Sequence, residues 1–382
     1  MSTTVCLCAN ALRFPRAGGH LWVYLNWALG LQALGCKVIW LEGVDPHSSI
    51  ETTRAHVAAL RERLTRFGLG DTLALYSWTN DPVSTEVDGP HPSLDRAQCA
   101  DLLLNIAYNI PETIVRGFRR TALIDIDPGL TQIWISEGQM EIEPHDTYFT
   151  IGETVGQPTA SFPDCRLHWH YTPPPVHLGS WPSPSVGAPP TAPFTTVTHW
   201  ASDMVVVRGE CFHNGKREGF LPYIDLPVRS AAPLELAVNL EGHPPDLVAA
   251  EWTALTDRGW RLRRADDVAS TPWDYQRYIQ ASRGEFSCAK PSCMRLQNAW
   301  ISDRTICYLA SGKPAVVQHT GPSRFLPDRD GLFRFRTMDE AVACLDAATA
   351  DYEHHSRRAR ALAEEYFDAE KVVRRVLERA LN

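Results

Sequence analysis

The order of elements at the start of the chain constrains its fold more than any composition figure does. "TVCLCA" (Thr4–Ala9) is a short apolar run, residues 21–35 ("LWVYLNWALGLQALG") read as a helix closed by Gly35, and residues 37–43 ("KVIWLEG") are a second apolar run. A strand–helix–strand unit of this kind makes its two strands parallel, because the crossover returns the chain to the same end of the sheet. A helix over about residues 51–67 and apolar runs at "DTLALYSW", "DLLLNIAY", "TALIDIDPG" and "TYFTIGE" continue the alternation. These runs are nearly continuous rather than alternating, which suits strands covered on both faces.

The composition then breaks. Residues 172–193 hold eight prolines, and proline neither continues a helix nor donates to a central strand. This segment is expected to be a semi-rigid hinge. Beyond it the alternation restarts with "FTTVTHW", "PLELAVNL", "LVAAEWTALTDRG", "WRLRRA", "GEFSCAK" and "KPAVVQHT", and the chain ends in helical patterns over residues 338–367 and 370–382. The expected architecture is α/β, with two Rossmann-like βαβ domains. Residues 1–171 form the first, 172–193 the hinge, and 194–382 the second with its terminal helices. A length of 382 residues suits two domains.

Charge and composition exclude several functions. A net charge of −8 without a basic stripe argues against a nucleic-acid partner. The most apolar early stretch, residues 21–34, is interrupted by Asn26 and Gln32 and is too short to span a bilayer, so no integral membrane segment is expected. "MSTTVCLCAN" lacks the pattern of an export signal, and a cytoplasmic location follows as an expectation. The ten cysteines show no paired zinc spacing and read as small buried hydrophobes. His168 and His170 share one strand face, but no third metal ligand stands near them in sequence.

The most informative stretch is residues 300–321, "WISDRTICYLASGKPAVVQHTG". The first amides of a helix lack internal partners and point outward with partial positive charge. Ser302 and Asp303 stand where such a helix begins, Arg304 adds an anion-pairing fork and Thr305 a hydroxyl. Ligands of parallel sheets collect beyond the carboxyl ends of the strands, so Ser302, Asp303, Arg304 and Thr305 are expected to bind phosphate. Lys290, and Lys216 in "GKREGF", are further phosphate candidates. In the first half, His20 follows Gly18 and Gly19 at the head of the first helix, and an imidazole neutral near pH 7 can accept a proton from a hydroxyl. Asp125 and Asp127 in "LIDID" offer two carboxylates suited to a hard cation, although "DPG" is also a plain turn signal.

A strand, a polar loop, a helix ending "LASGKP" and then "AVVQHTG" resemble the nucleotide-sugar half of GT-B-fold glycosyltransferases, including bacterial family 1-like and spore-coat-type members. "GGHLWVYLNWALGLQALG" resembles the loop and helix that carry a catalytic His in family 1. The resemblance implies two domains facing a cleft, with the C-terminal helices returning to the N-terminal domain. It implies a UDP- or dTDP-sugar donor whose diphosphate lies at Ser302–Thr305 and whose sugar meets Gln318, His319, Thr320 and Gly321. The family's ribose-gripping Glu falls at Cys307, so Glu285 or a backbone group is expected to take its place. His20 would be the general base. Its carboxylate partner falls at Asn105 in the nearest comparable position, or at Asp127 one strand later. Gly18, Gly19, Asn105 and Glu153 would line the acceptor side. The implied reaction needs no bound metal or other cofactor and serves a small-molecule or other acceptor, as in natural-product biosynthesis, in a monomer or homodimer. Alternatives are a nucleotide-sugar epimerase on the same fold and a non-catalytic nucleotide-sugar binder, the latter suggested by Cys307 and Asn105.

Overall fold

Seven parallel strands form the sheet of the first unit: β1 (Thr4–Ala9), β2 (Lys37–Val44), β3 (Leu73–Ser77), β4 (Leu102–Asn105), β5 (Thr121–Asp125), β6 (Thr147–Thr150) and β7 (Trp169–Tyr171). The structure is a computed structural model that describes residues 2–79, 81–84, 86–87, 92–108, 110–184, 187–200, 204–240 and 244–382. The strands lie in the order β3-β2-β1-β4-β5-β6-β7. The order reverses between β1 and β4, so the loops leaving those two strands diverge and open a crevice at their carboxyl ends. The expected strand runs all fall in this sheet, and the buried β1 pattern explains Cys6 and Cys8, both 0 % exposed.

The first helix, Gly18–Ala33, begins earlier than its sequence pattern suggested, and Gly18 and Gly19 form its first turn. Gly35, at φ 76°, ends it in the left-handed conformation that glycine adopts without strain. The terminal helix, Ala369–Leu381, buries Ala369, Val372, Val373, Val376 and Ala380, a spacing that places one apolar stripe along it. A Cβ on Gly30 would lie 2.9 Å from Val373 Cγ2 and 3.0 Å from Ala369 Cβ. The terminal helix therefore packs directly on the first one, and the expected return of the chain end to the first domain holds. The first unit accordingly takes in residues up to 156, 163–177 and 369–382, and the second 157–162 and 178–368.

The second unit has a six-stranded parallel sheet of β8 (Phe194–His199), β11 (Leu234–Asn239), β12 (Arg261–Arg264), β13 (Gly284–Ser287), β14 (Ala315–Gln318) and β15 (Leu332–Phe335). Their order is β12-β11-β8-β13-β14-β15, which places a second switch point between β8 and β13. Phe286 stacks on Phe335 at 5.3 Å between ring centroids and meets Phe220 and Trp260 edgewise or tilted, forming the aromatic centre of this unit's core. Between β8 and β11 lies an antiparallel hairpin, β9 (Met204–Val207) and β10 (Glu210–His213). Arg208 (φ 54°) and Gly209 (φ 76°) make its two-residue turn, the positive-φ pair that strand twist favours.

Two further features depart from the sequence reading. The hairpin was not anticipated. The helical pattern over residues 338–367 breaks at Asp351, whose side chain caps the next helix by accepting from His354 N at 3.4 Å. No helix or strand lies between Tyr171 and Phe194 among the described residues, and Ser185 and Val186 of the hinge lie outside those residues. No described helix is long and apolar enough to cross a membrane.

Candidate active-site elements

In the second unit a small concavity opens where β13 and β14 end and the helix Asp303–Ala310 begins. Ser287, Cys288 and Ala289 form one side, Trp300, Ile301, Ser302, Arg304 and Thr305 the head of the helix, and Val317, Gln318 and Thr320 the other edge, while Asp303 does not line it. Ser302 is the N-cap and accepts from Arg304 N at 3.2 Å. Both polar edges of the 300–321 stretch thus reach one pocket, at the carboxyl ends of parallel strands where anions are held.

The sequence candidates divide by what their side chains touch. Lys216 is 7 % exposed, donates to the Cys288 carbonyl and lies 5.4 Å from the Trp300 ring centroid. Burial, then the positive charges of Arg304 and Lys290, push its pKa down to about 7. Lys216 gets this close because Gly219 has no side chain: a Cβ there would stand 2.1 Å from the Ala289 carbonyl oxygen. Lys290 is half-buried at the N-cap of Pro291–Leu296. Arg217, by contrast, is engaged by Glu251 at 2.7 Å.

Arg304 is committed to the sheet. Its Nε donates to Glu285 Oε1 at 2.8 Å, Nη1 to the Val197 carbonyl at 3.0 Å and Nη2 to Ser287 Oγ at 2.6 Å. Burial alone would disfavour its charge, but the Glu285 carboxylate holds its pKa above the ordinary value. Arg304 therefore anchors the helix head to β8 and β13 and supplies positive potential at short range. Glu285 is 0 % exposed and Cys307 1 % exposed, with Cys307 Sγ donating to the Asp303 carbonyl at 3.2 Å. The ribose contact expected of these two residues has no exposed side-chain atom to make it. Burial of one and an intrahelical bond of the other are the physical reasons.

The far edge is tied down by its own loop. Gln318 Oε1 accepts from Ala289 N at 2.9 Å, Thr320 Oγ1 donates to the Trp300 carbonyl at 2.6 Å, and Ala299 N donates to the Thr320 carbonyl at 3.0 Å. His319 Nδ1 accepts from Gly321 N at 3.2 Å, and burial followed by Arg334 and Arg336 lowers its pKa, keeping the ring neutral. A Cβ on Gly321 would lie 2.6 Å from the Gln297 carbonyl oxygen, so only glycine admits this closure. Gln297 (φ 49°) and Ala299 (φ 54°) hold left-handed backbone just before the helix head, a strained conformation that such sites often retain. Trp300, between that loop and the helix, was absent from the sequence candidates. Its signal was a tryptophan beside an N-cap pattern. Trp22, Trp27, Trp169, Trp181 and Trp200 are all buried.

In the first unit, His20 lies in the opening turns of its helix beside the loop that leaves β1. Its Nε2 is 3.1 Å from the Asn10 carbonyl and 3.3 Å from Tyr24 Oη. A carbonyl only accepts, so Nε2 carries the proton and Nδ1 is the basic nitrogen. Burial lowers the His20 pKa, while the Asn10 bond and the Asp127 charge work in the opposite direction. The carboxylate that acts on His20 is thus Asp127, and Asn105 is engaged elsewhere. Asn105 Nδ2 meets His145 Nε2 at 3.2 Å and its Oδ1 accepts from Ala107 N at 2.9 Å. Asp125 is 0 % exposed and accepts from Thr131, Gln132, Thr150 and Tyr108 side chains at 2.7 to 3.1 Å. It fastens strand ends rather than presenting a ligand. Gly152 lets the loop after β6 pack on Pro128, and Glu153 in that loop is buried.

Glu42 escaped the sequence reading. It is fully buried, accepts from Ala11 N at 2.9 Å, Leu12 N at 3.2 Å and Trp40 Nε1 at 2.9 Å, and burial raises its pKa to about 7. It shapes the loop that also carries the His20 partner Asn10. Its only sequence signal was an acid inside an otherwise apolar strand.

Two parallel Rossmann-like sheets, each with a switch point, define the GT-B fold. Solved structures agree. The chain is similar to an alpha-glucosyltransferase (AGT) in complex with UDP at TM-score 0.61 and 10 % identity, over 100 % of both chains. An alpha-glucosyltransferase in complex with UDP-glucose and DNA containing an abasic site gives 0.59 at 10 % identity, again over 100 % of both. The Anabaena protein HepE in complex with UDP gives 0.58 at 13 % identity over 99 % of both. No protein-family model and no curated protein matches the sequence.

Proposed function

We propose that this protein is a glycosyltransferase that moves a sugar from a nucleoside diphosphate sugar to an acceptor hydroxyl. The observation that carries this reading is the cationic pocket of the second unit. Arg304 lines this pocket at a helix head and the carboxyl ends of β13 and β14, and buried Lys216 is held on the carbonyl of Cys288, one of its lining residues. Such a site suits the diphosphate of the donor, and UDP in the similar solved structures supports the same class of ligand.

On this reading the acceptor oxygen attacks the anomeric carbon, the bond from that carbon to the diphosphate breaks, and the nucleoside diphosphate leaves with the bonding pair. Helix-head amides, Lys216 and Lys290 stabilise the charge that develops on it, with no metal invoked. His20 Nδ1 takes the acceptor proton, and Asp127 stabilises the imidazolium. Gln318 to Gly321 shape the sugar end. Glu42 holds the β1 loop that orients His20. The net charge of −8 favours a small-molecule or other non-nucleic-acid acceptor, with the protein acting in the cytoplasm as a monomer or homodimer.

Incubating UDP- and dTDP-sugars with the protein, with and without an alcohol acceptor, tests the reading. Release of nucleoside diphosphate is expected, accelerated by acceptor. His20→Ala is expected to lower kcat by about 10² to 10⁴ while the donor KM stays within about twofold. An isomerised donor without transfer would make the protein an epimerase, and tight donor binding without turnover would make it a binder.

A further inference from the structure

Outside the site residues described above, the described residues of the second unit contain a group of two histidines and a carboxylate whose ligand atoms all lie within 4.8 Å of one another: Asp330, His354 and His355. Asp330 belongs to the segment joining β14 to β15, and the histidines to the helix Tyr352–Leu362. We propose that these three side chains bind a divalent first-row transition ion of the Zn²⁺ type, which staples that segment to the helix.

One separation matches metal ligation. His354 Nε2 and Asp330 Oδ1 stand 3.4 Å apart. This is long for a charge-assisted hydrogen bond, which settles at about 2.7–2.9 Å. It matches the edge of a tetrahedron around zinc, about 3.3 Å for zinc–nitrogen and zinc–oxygen bonds near 2.0–2.1 Å. His355 Nδ1 is buried without a hydrogen-bond partner. The ligand set itself, two imidazoles and one carboxylate, selects zinc-like ions over calcium or magnesium, which prefer all-oxygen surroundings.

The backbone brings the carboxylate there independently of any contact with the histidines. A Cβ on Gly331 would lie 2.4 Å from Ala359 N, so the segment rests directly on the helix backbone. Asp330 itself is in the left-handed region at φ 62°, a conformation Asp tolerates better than most residues. The same segment is linked toward the pocket edge, since Arg334 donates to the Gly321 carbonyl at 3.1 Å and to the Leu326 carbonyl at 3.3 Å. A bound ion would close the far end of that segment. It would act as a structural clamp, with the protein supplying three ligands and water the remainder.

Titration of the full-length, chelator-treated protein with Co²⁺, read by its visible absorption and then by displacement with Zn²⁺, tests the proposal. Uptake of one ion per chain is expected, with Zn²⁺ raising the melting temperature. Asp330→Asn and His354→Ala are each expected to weaken uptake at least about tenfold, with far-ultraviolet circular dichroism unchanged. His168→Ala, at the other close histidine pair (ring centroids 4.4 Å apart), is expected to leave uptake as it is. Equal uptake in the wild type, Asp330→Asn and His354→Ala, loss of uptake in His168→Ala alone, or no uptake at about millimolar metal would each overturn it.

Discussion

Arg304 stands at a helix head where an anion ligand is expected, yet its side chain is bonded to the sheet beneath. Its place at a helix head after a parallel strand marked it as an anion ligand. Its guanidinium instead donates to Glu285, Val197 and Ser287. The sequence could not reveal this, because Glu285 stands nineteen residues away and meets Arg304 only where the helix head packs on β13. A buried pair is costly to break on one side, by about 3–5 kcal/mol, since the remaining charge loses its partner in a poorly solvated place. Arg304→Ala is therefore expected to lower stability by about that amount in denaturant titration. Arg304→Met combined with Glu285→Leu is expected to recover most of the loss, because no buried charge then remains. Equal instability of the single and double variants would show that the pair is not what holds the helix head. At the same scale, the His20 pairing was half legible. "LIDID" signalled a carboxylate, but the sequence could not decide between Asn105 and Asp127. In the structure Asn105 meets His145, and the Asp127 charge acts to raise the His20 pKa.

At the scale of elements, apolar runs and glycine caps located the strands and main helices of both sheets, because a strand covered on both faces has few other ways to read. What stayed hidden are the features set by tertiary contact or by a single residue. The hairpin β9–β10 is short and partly exposed, so its run carries little hydrophobic pattern. The break at Asp351 depends on one cap within a pattern that is helical on both sides. Gly30 is the opposite case, a mid-helix glycine whose cost in propensity makes sense only once the terminal helix is seen against it. Gly30→Val is expected to destabilise the protein by about 1–3 kcal/mol, as overpacking does, and to expose the terminal helix to limited proteolysis. An unchanged melting curve and digestion pattern would argue that the two helices do not pack as closely as the 2.9 Å approach implies.

For the whole molecule, the repeated βαβ order was enough to foresee two parallel sheets, since right-handed crossovers leave few other topologies. Function was less legible, because it depends on which charges burial gathers. Lys216 was one candidate among several loop lysines and arginines until its surroundings showed it buried, held on Cys288 and depressed to about pKa 7. A lysine whose folded pKa lies below its unfolded value binds fewer protons in the folded state between about pH 7 and 10.5, so unliganded stability rises across that window. A dianion in the pocket restores the proton, so binding near pH 7 must take protons up and weaken as pH rises further. The most direct test is calorimetric titration of the protein with UDP, dTDP, GDP and ADP in buffers of differing ionisation enthalpy. The expected result is saturable binding of at least one nucleoside diphosphate with proton uptake, weakened at least about tenfold and stripped of its uptake in Lys216→Met. Absence of binding for all four, or binding unaffected by Lys216→Met, would contradict the account.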